Sequence, residues 1–501
     1  MPSVLKTTDL PMAKDYSSFL SIEGASRKKS PFNGVLGLMG GDMVSLGSGL
    51  PHPSNFPFHS LSAEVTRLNP TAKTIKPTVI GVKSQTAVDL VTVPHGAQPG
   101  KAENLTDSLQ YGLGTGIESL RTFCKDHVSQ MHRPQYQDWD VVLSAGNTDA
   151  LTKAISMLCN RGDKVLVEEW TYPAALEMMG PLGVGHVPVK MDGEGMSAVA
   201  LRDLLDNWGS EPGQSSDTKP RVAYLIPTGQ NPTGTTMSIQ RRQDIIQVAQ
   251  QHDLILIEDD PYYYLQFGDE DEESIVGNNC NDSGWTPPVP SLLSLDTDAR
   301  VIRLDTFSKT LAPGCRVGYI STNAQFCKVI EYHNEVSTQQ PSGFAQVILA
   351  EMLISQWGQK GYIRYLCDNI RKEYLKRSQH LQACYRKHVN PRLASFVRPS
   401  AGMFLWIKIH LEHHPKYGTV SDSTLMLELF NKCIGNKVLM VPGWQFSCKP
   451  KPDDIDTADL LNVWFDDKAT YFRATFAYTS LEQMDQAMRL FGESLNEAFG
   501  V

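Results

Sequence analysis

Between about residue 100 and residue 355, short apolar runs alternate with amphipathic stretches of helical period. The runs KVLVEEW, RVAYLIP, DLILIEDD, VIRLDTF and RVGYIST are strand-length and rich in Val, Ile and Leu. Helix-like segments such as SIQRRQDIIQVAQQHD separate some of them. A strand that is apolar on both sides needs cover on both faces. The pattern therefore predicts an α/β architecture, a mostly parallel central sheet flanked by helices. After YIRYLCDNIRKEYLKRSQHLQACYRKH the style changes to helix plus shorter strands, GMFLWIKI and YFRATFAY, which predicts a second, smaller α+β domain. The first forty-odd residues are polar, with little periodicity beyond a short amphipathic patch. The expected divisions are an arm (1–45), a joining segment (46–100), a large domain (101–355) and a small C-terminal domain (356–501).

Composition narrows the function classes. A chain of 501 residues exceeds one simple core, which agrees with two domains. A net charge of -9 argues against nucleic acid as a partner, because a phosphate-backbone surface needs a basic excess. No uninterrupted apolar run reaches the length of a membrane span, so no membrane partner is expected. The nine cysteines are scattered, without a CxxC pair or metal-ligand spacing, so no metal is expected. The opening residues MPSVLKTTDLPMAKDYSSFL lack a signal-peptide apolar core, and the expected compartment is the cytoplasm. The segments GSEPGQSSDTKP, GDEDEESIVGNNCNDSGWTPP and CKPKPDDIDTADL read as surface loops.

In open parallel sheets, ligands bind at the carboxyl ends of the strands, so polar clusters after the apolar runs are where chemistry belongs. Four stand out. SAGNTDAL (144–151) opens a helix with small residues, and Asn147 and Thr148 suit either an anion cradle or a simple cap. IPTGQNPTG (226–234) is a rigid turn that presents Asn231. DLILIEDDPYYYLQF ends an apolar strand with Glu258, Asp259 and Asp260, whose mutual repulsion calls for a metal or a protonated ring nitrogen. VIRLDTFSKTLAPGCRVGY (301–319) sets Lys309 beside Thr306, Ser308 and Arg316, all suited to phosphate. A lysine there is an ordinary solvent-facing residue, a point charge beside the phosphate, or a Schiff-base amine.

In this order and approximate spacing, NPTG, EDDPYY, TFSK and PGCRVGY resemble the fold-type I pyridoxal-phosphate aminotransferases of class I/II. More narrowly, GSGLPHPSNFPF, LQYGLGTGIESLR, AGMFLWIKI, MVPGWQF and FRATFAYTSLEQM resemble the fungal aromatic-amino-acid aminotransferases and the aminoadipate/kynurenine aminotransferases. The resemblance covers nearly the whole chain. It implies a large domain that binds pyridoxal 5'-phosphate and a 46–100 segment that lines the pocket. It also implies a ping-pong exchange between an amino acid and a 2-oxo acid, in a homodimer with shared sites.

The same resemblance assigns roles residue by residue. Lys309 would bond the cofactor covalently and then move a proton at the substrate. Asp259 would pair with the pyridine N–H, keeping the ring electron-accepting. Asn231 and Tyr262 would hold the phenolic oxygen, and Tyr172 would stack on the ring. The phosphate would lie among Asn147, Thr148, Thr306, Ser308 and Arg316, with Tyr111 reaching it from the neighbouring subunit. Arg473 would clamp the substrate α-carboxylate, and Gly49 would permit close approach. Asn33 stands where a basic residue often helps close the pocket in the aminoadipate/kynurenine branch. That difference favours aromatic or other apolar donors over aminoadipate.

Other readings have weaker support. GLGTG (112–116) lacks the final glycine of a dinucleotide loop, and HLEHH (410–414) reads as a solvated turn rather than a metal site. A C–S β-lyase on the same cofactor is the enzyme alternative. A non-catalytic cofactor-binding regulator would require a basic helix-turn-helix module, which this acidic chain does not present.

Overall fold

The computed structural model describes residues 10–31, 46–47, 49–68, 88–210, 214–267, 287–448 and 469–501. Its strands begin with an antiparallel hairpin, β1 (Ser60–Thr66) and β2 (Val88–Pro94). Next come β3 (Trp139–Ser144), β4 (Lys164–Glu168) and β5 (Gly185–Val189), then the short pair β6 (Met191–Asp192) and β7 (Gly195–Met196). These are followed by β8 (Val222–Leu225), β9 (Ile255–Asp259), β10 (Val301–Thr306) and β11 (Gly318–Asn323). A seven-stranded sheet takes the order β3-β11-β10-β9-β8-β4-β5. It is parallel except for β11, which runs antiparallel to both β10 and β3.

Every residue of β8 and β9 is buried, the signature of strands covered on both faces. One cover is the helix Ile239–Gln251, which buries Arg242, Ile245, Ile246, Val248 and Ala249. Its entry is fixed by Ser238, whose Oγ accepts the Arg241 N–H at 3.2 Å.

The smaller unit is a four-stranded antiparallel sheet of β12 (Ala394–Phe396), β13 (Phe404–Ile409), β14 (Val441–Pro442) and β15 (Tyr471–Thr475), ordered β12-β13-β15-β14. The helices Lys372–His388, Asp422–Gly435 and Leu481–Phe499 share its core. The α/β architecture with a smaller α+β unit is thus present. Within the largely helical stretch 343–388, side chains up to Cys367 join the large core and those from Leu375 join the small one. The two cores also exchange residues. Trp170 and Phe267 insert into the small core, while Met403 and Phe404 belong to the large one.

The described part of the arm is docked. Tyr16 is buried, with its hydroxyl donating to the Asp298 carbonyl at 2.8 Å. Gly24 lies so close to the large domain that a Cβ would come within 2.4 Å of the Met157 carbonyl oxygen. Asn33, the acidic segment 268–286 and most of CKPKPDDIDTADL lie outside the described residues.

Candidate active site

The carboxyl ends of β3, β4, β8, β9 and β10 share one edge with the start of antiparallel β11. Gly318 pairs with both Ser144 and Thr306, which brings Arg316 beside the helix start at 146–148 and beside Ser308. The four clusters found in the sequence therefore meet at the edge where an α/β sheet binds ligands.

The three consecutive acids are sorted by the alternation of strand side chains. Glu258 and Asp260 point to the same face and meet Arg303, whose Nη1 lies 3.1 Å from each of them. Asp305, two residues along β10, accepts from Arg303 Nε at 2.8 Å. Asp259 points the other way, so it alone is offered to the cleft. Like-charge repulsion is thus resolved by a buried guanidinium, and among the described residues no cluster of metal-ligating groups is present.

Asp259 is 6% exposed and held from two sides. Asn147 Nδ2 donates to its Oδ1 at 2.7 Å, and the Tyr224 hydroxyl donates to its Oδ2 at 2.8 Å. Burial pushes this carboxyl above its ordinary range, while those two donors, Arg303 and Lys309 act in the opposite sense. A buried acid left without a directly bonded cation suits a protonated ring nitrogen. Asn147 Nδ2 also donates to the Leu304 carbonyl at 3.0 Å, so both amide hydrogens are engaged and the side chain is turned from any phosphate. The main-chain N–H of Asn147 stands free of that turn, at the start of the helix Asn147–Leu158, where helix N–H groups are available to an anion.

The other residues expected at the phosphate lie together. Thr306 Oγ1 donates to Ser308 Oγ at 3.0 Å, and Arg316 Nη1 reaches the same oxygen at 3.3 Å. Arg316 Nη2 donates to the Ala145 carbonyl at 2.9 Å, which draws the guanidinium over the helix start, and Thr148 is exposed there. Gly146 has φ +94°, and a Cβ on it would lie 2.6 Å from Arg316 Nη2. Hydroxyls, a guanidinium and a helix N-terminus make a donor set for a phosphate dianion, and with Asp259 they fit pyridoxal phosphate. Gly146→Ala is expected to weaken cofactor retention by roughly 5- to 150-fold, because its φ of +94° with ψ of 172° is a backbone state almost closed to side chains, costing about 1–3 kcal/mol, and the Cβ displaces Arg316. Equilibrium dialysis against pyridoxal phosphate measures this, and unchanged affinity would remove Gly146 and Arg316 from the cradle.

Lys309 is partly buried at the same edge. Burial, then Arg473 and Arg316, lower its ammonium pKa, and Asp259 opposes them. Arg473 reaches the site from β15. Its Nη1 donates to Asn231 Oδ1 at 2.6 Å, and its guanidinium lies 4.4 Å from the Phe404 ring and 4.7 Å from the Phe446 ring. Its buried Nε has no hydrogen-bond partner among the described residues, an open donor for a carboxylate. Tyr262 is buried and packs edge-on to Phe404 at 5.7 Å. Tyr172 is half-buried where the chain enters the helix Pro173–Leu182. Tyr111 is 58% exposed at the surface. Gly49 stands in open space, with nothing within 4 Å of where its Cβ would be.

Sequence reasoning missed Tyr224, Arg303 and Gln230. Gln230 Nε2 donates to Glu168 at 3.0 Å and to the Trp170 carbonyl at 2.6 Å, anchoring the loop that carries Asn231. One signal was available for the tyrosine: a hydroxyl within the aliphatic run VAYLI must find a partner when buried.

Comparison with known proteins agrees with this geometry. The family model for aminotransferase class I and II matches residues 86–491. An aromatic amino acid aminotransferase of Schizosaccharomyces pombe (strain 972 / ATCC 24843) is 35% identical over 508 residues, covering 97% of this chain and 99% of that protein. The mitochondrial kynurenine/alpha-aminoadipate aminotransferase of Bos taurus is 30% identical, covering 97% of this chain and 100% of that protein. Among solved structures, aminotransferase Aro8 from Candida albicans superposes with a TM-score of 0.84 at 32% identity, covering 98% of this chain and 100% of that one.

Proposed function

The chain belongs to the class I and II aminotransferases and is a pyridoxal-phosphate-dependent transaminase; from that premise we propose that it moves the amino group of aromatic L-amino acids to a 2-oxo acid such as 2-oxoglutarate. The observation that carries the reading is the convergence of Lys309, Asp259 and Arg473 on one cleft. When bound, pyridoxal phosphate supplies a carbonyl carbon that takes up amines and a ring that withdraws electrons from the substrate's Cα.

Arg473 receives the substrate α-carboxylate, its open Nε and fork setting the orientation of the bonds at Cα. Phe404 and Phe446 keep water from the guanidinium faces, which strengthens that ion pair. Lys309, its ammonium pKa lowered, takes the Cα proton and returns it elsewhere on the adduct. Asp259 keeps the ring nitrogen protonated. Asn231 and Tyr262 hold the phenolic oxygen; burial pushes the Tyr262 hydroxyl up, so it stays a donor. Tyr172 covers the ring, and Thr148, Thr306, Ser308, Arg316 and the helix N–H groups hold the phosphate.

The protein is proposed to act as a homodimer, with the partner subunit's Tyr111 completing the phosphate site. Supporting this are the exposed Phe58, Tyr111, Leu113 and Phe344, of which Phe58 and Phe344 have ring centroids 4.9 Å apart. Sedimentation of the holoenzyme at the monomer mass would remove it. A cytoplasmic location is proposed on the free thiols of buried Cys124, Cys159, Cys327 and Cys433, against the one disulfide-bonded cysteine among the described residues, Cys367, and is checked by cell fractionation.

Aromatic preference is supported by the higher identity to the S. pombe relative than to the bovine one. The test is a donor panel of phenylalanine, tyrosine, tryptophan, kynurenine, aminoadipate, methionine and leucine against 2-oxoglutarate. The aromatic donors are expected to give kcat/KM at least about 10-fold above aminoadipate, the low end of the penalty for one buried unpaired carboxylate. Equal use of aminoadipate would overturn the preference. Pyruvate and ammonia released from cysteine conjugates without any acceptor would favour the β-lyase.

A further inference from the structure

We propose that Tyr224 is a positioning residue for Asp259: its hydroxyl holds one carboxylate oxygen while Asn147 holds the other, so the acid assigned to the ring nitrogen is clamped as a fixed anion. The clamp rests on the assignment of pyridoxal phosphate to this cleft. Tyr224 lies on β8, opposite Ile257 of the neighbouring β9, and is fully buried. Its hydroxyl lies 2.8 Å from Asp259 Oδ2. On the other side, the Asn147 amide cannot be reversed. Reversal would set its oxygen against both the Asp259 carboxylate and the Leu304 carbonyl. Donors on opposite oxygens stop the carboxylate rotating about its last bond, and they favour its charged form where burial disfavours it.

Other charged or titratable groups face Asp259 as well. Arg303 on β10 and Lys309 beyond it favour its anion, while Tyr262 and Asp305 also lie within its field. None of them contributes one of the two short contacts made by Tyr224 and Asn147. Without the Tyr224 hydroxyl, Asp259 becomes more basic and takes a larger share of the proton it holds with the ring nitrogen. The ring then carries less positive charge, and the bound cofactor's absorbance titration moves to higher pH. Asp259 also anchors the cofactor less firmly.

The experiment compares the wild-type holoenzyme with Tyr224→Phe, which keeps the ring and removes only the hydroxyl. Two quantities are read: the pH midpoint of the bound cofactor's absorbance change, and its dissociation constant by dialysis. The midpoint is expected to rise by roughly half a unit or more, and the dissociation constant by about 10-fold, as for a lost hydrogen bond to a charged group. An unmoved midpoint overturns the proposal even if affinity falls, because loss of packing alone would lower affinity. Asn147→Ala removes the other donor at a half-exposed position and should move the midpoint in the same direction, which keeps the test intact if Tyr224→Phe folds poorly. Failure of the wild type to take up the cofactor would instead overturn the pyridoxal-phosphate reading.

Discussion

Replacing Lys309 with alanine is expected to lower kcat by about 10⁴-fold, the upper end of what a positioned proton-transfer group supplies. Ordinary lysines stay protonated at neutral pH, whereas this one has burial, Arg473 and Arg316 all acting against its charge. Its ammonium therefore gives up its proton more readily than that of a fully solvated lysine. Lys309→Arg sharpens the test: arginine keeps the positive charge and cannot be deprotonated, so it should be as inactive as alanine. The check is a single-turnover experiment with an aromatic donor and no acceptor, following the pyridoxamine form by absorbance. The phosphate donors are untouched, so both variants should still take up cofactor, without the spectral signature of a lysine-bound carbonyl. Arginine activity near wild type would reduce Lys309 to a point charge beside the phosphate.

Lys309 and Asp259 were legible in the sequence because each ends or follows an apolar run, and a strand's end fixes which edge of the sheet its next residues reach. The parallel core was legible for the same reason, since β8 and β9 carry no polar alternation to disguise them. β5, β12 and β14 are short or mixed in polarity, and only pairing with a neighbour makes them strands. The direction of a side chain was harder to read. Asn147 stands in an anion-cradle motif, yet its amide turns to Asp259, a choice set by strands 100 or more residues away. Tyr224 and Arg303 look like ordinary strand residues until their cross-strand partners are known. Glu258, Asp259 and Asp260 appeared as one acidic cluster, whereas the strand's alternation divides them between a buried ion network and the cleft.

That division leads to the second large effect, on stability rather than turnover. Arg303→Met is expected to destabilise the fold by about 3–5 kcal/mol, the usual result of removing one member of a buried ion network. Arg303 is fully buried and is the guanidinium that Glu258, Asp260 and Asp305 share, while Arg242 reaches Glu258 only at 3.8 Å. The apparent Tm of the holoenzyme should fall by roughly 3–5 °C, since 501 residues give an unfolding entropy of about 1 kcal/mol per kelvin. Arg303→Lys should lie between the two, because one ammonium keeps the charge without the fork that meets three carboxylates. The deficit should also depend on pH. Burial already pushes Asp260 up, and Asp305 up to about 6, with Arg303 present, and losing that cation raises both further. A carboxyl whose folded pKa exceeds its unfolded value loses its stabilising contribution as pH rises through the folded pKa. Arg303→Met should therefore lie further below the wild type at pH 8 than at pH 6, as read by thermal melts at both. A deficit that does not depend on pH would mean the destabilisation comes from lost packing against Tyr263, whose ring centroid lies 4.5 Å from the guanidinium carbon, and not from stranded carboxylates.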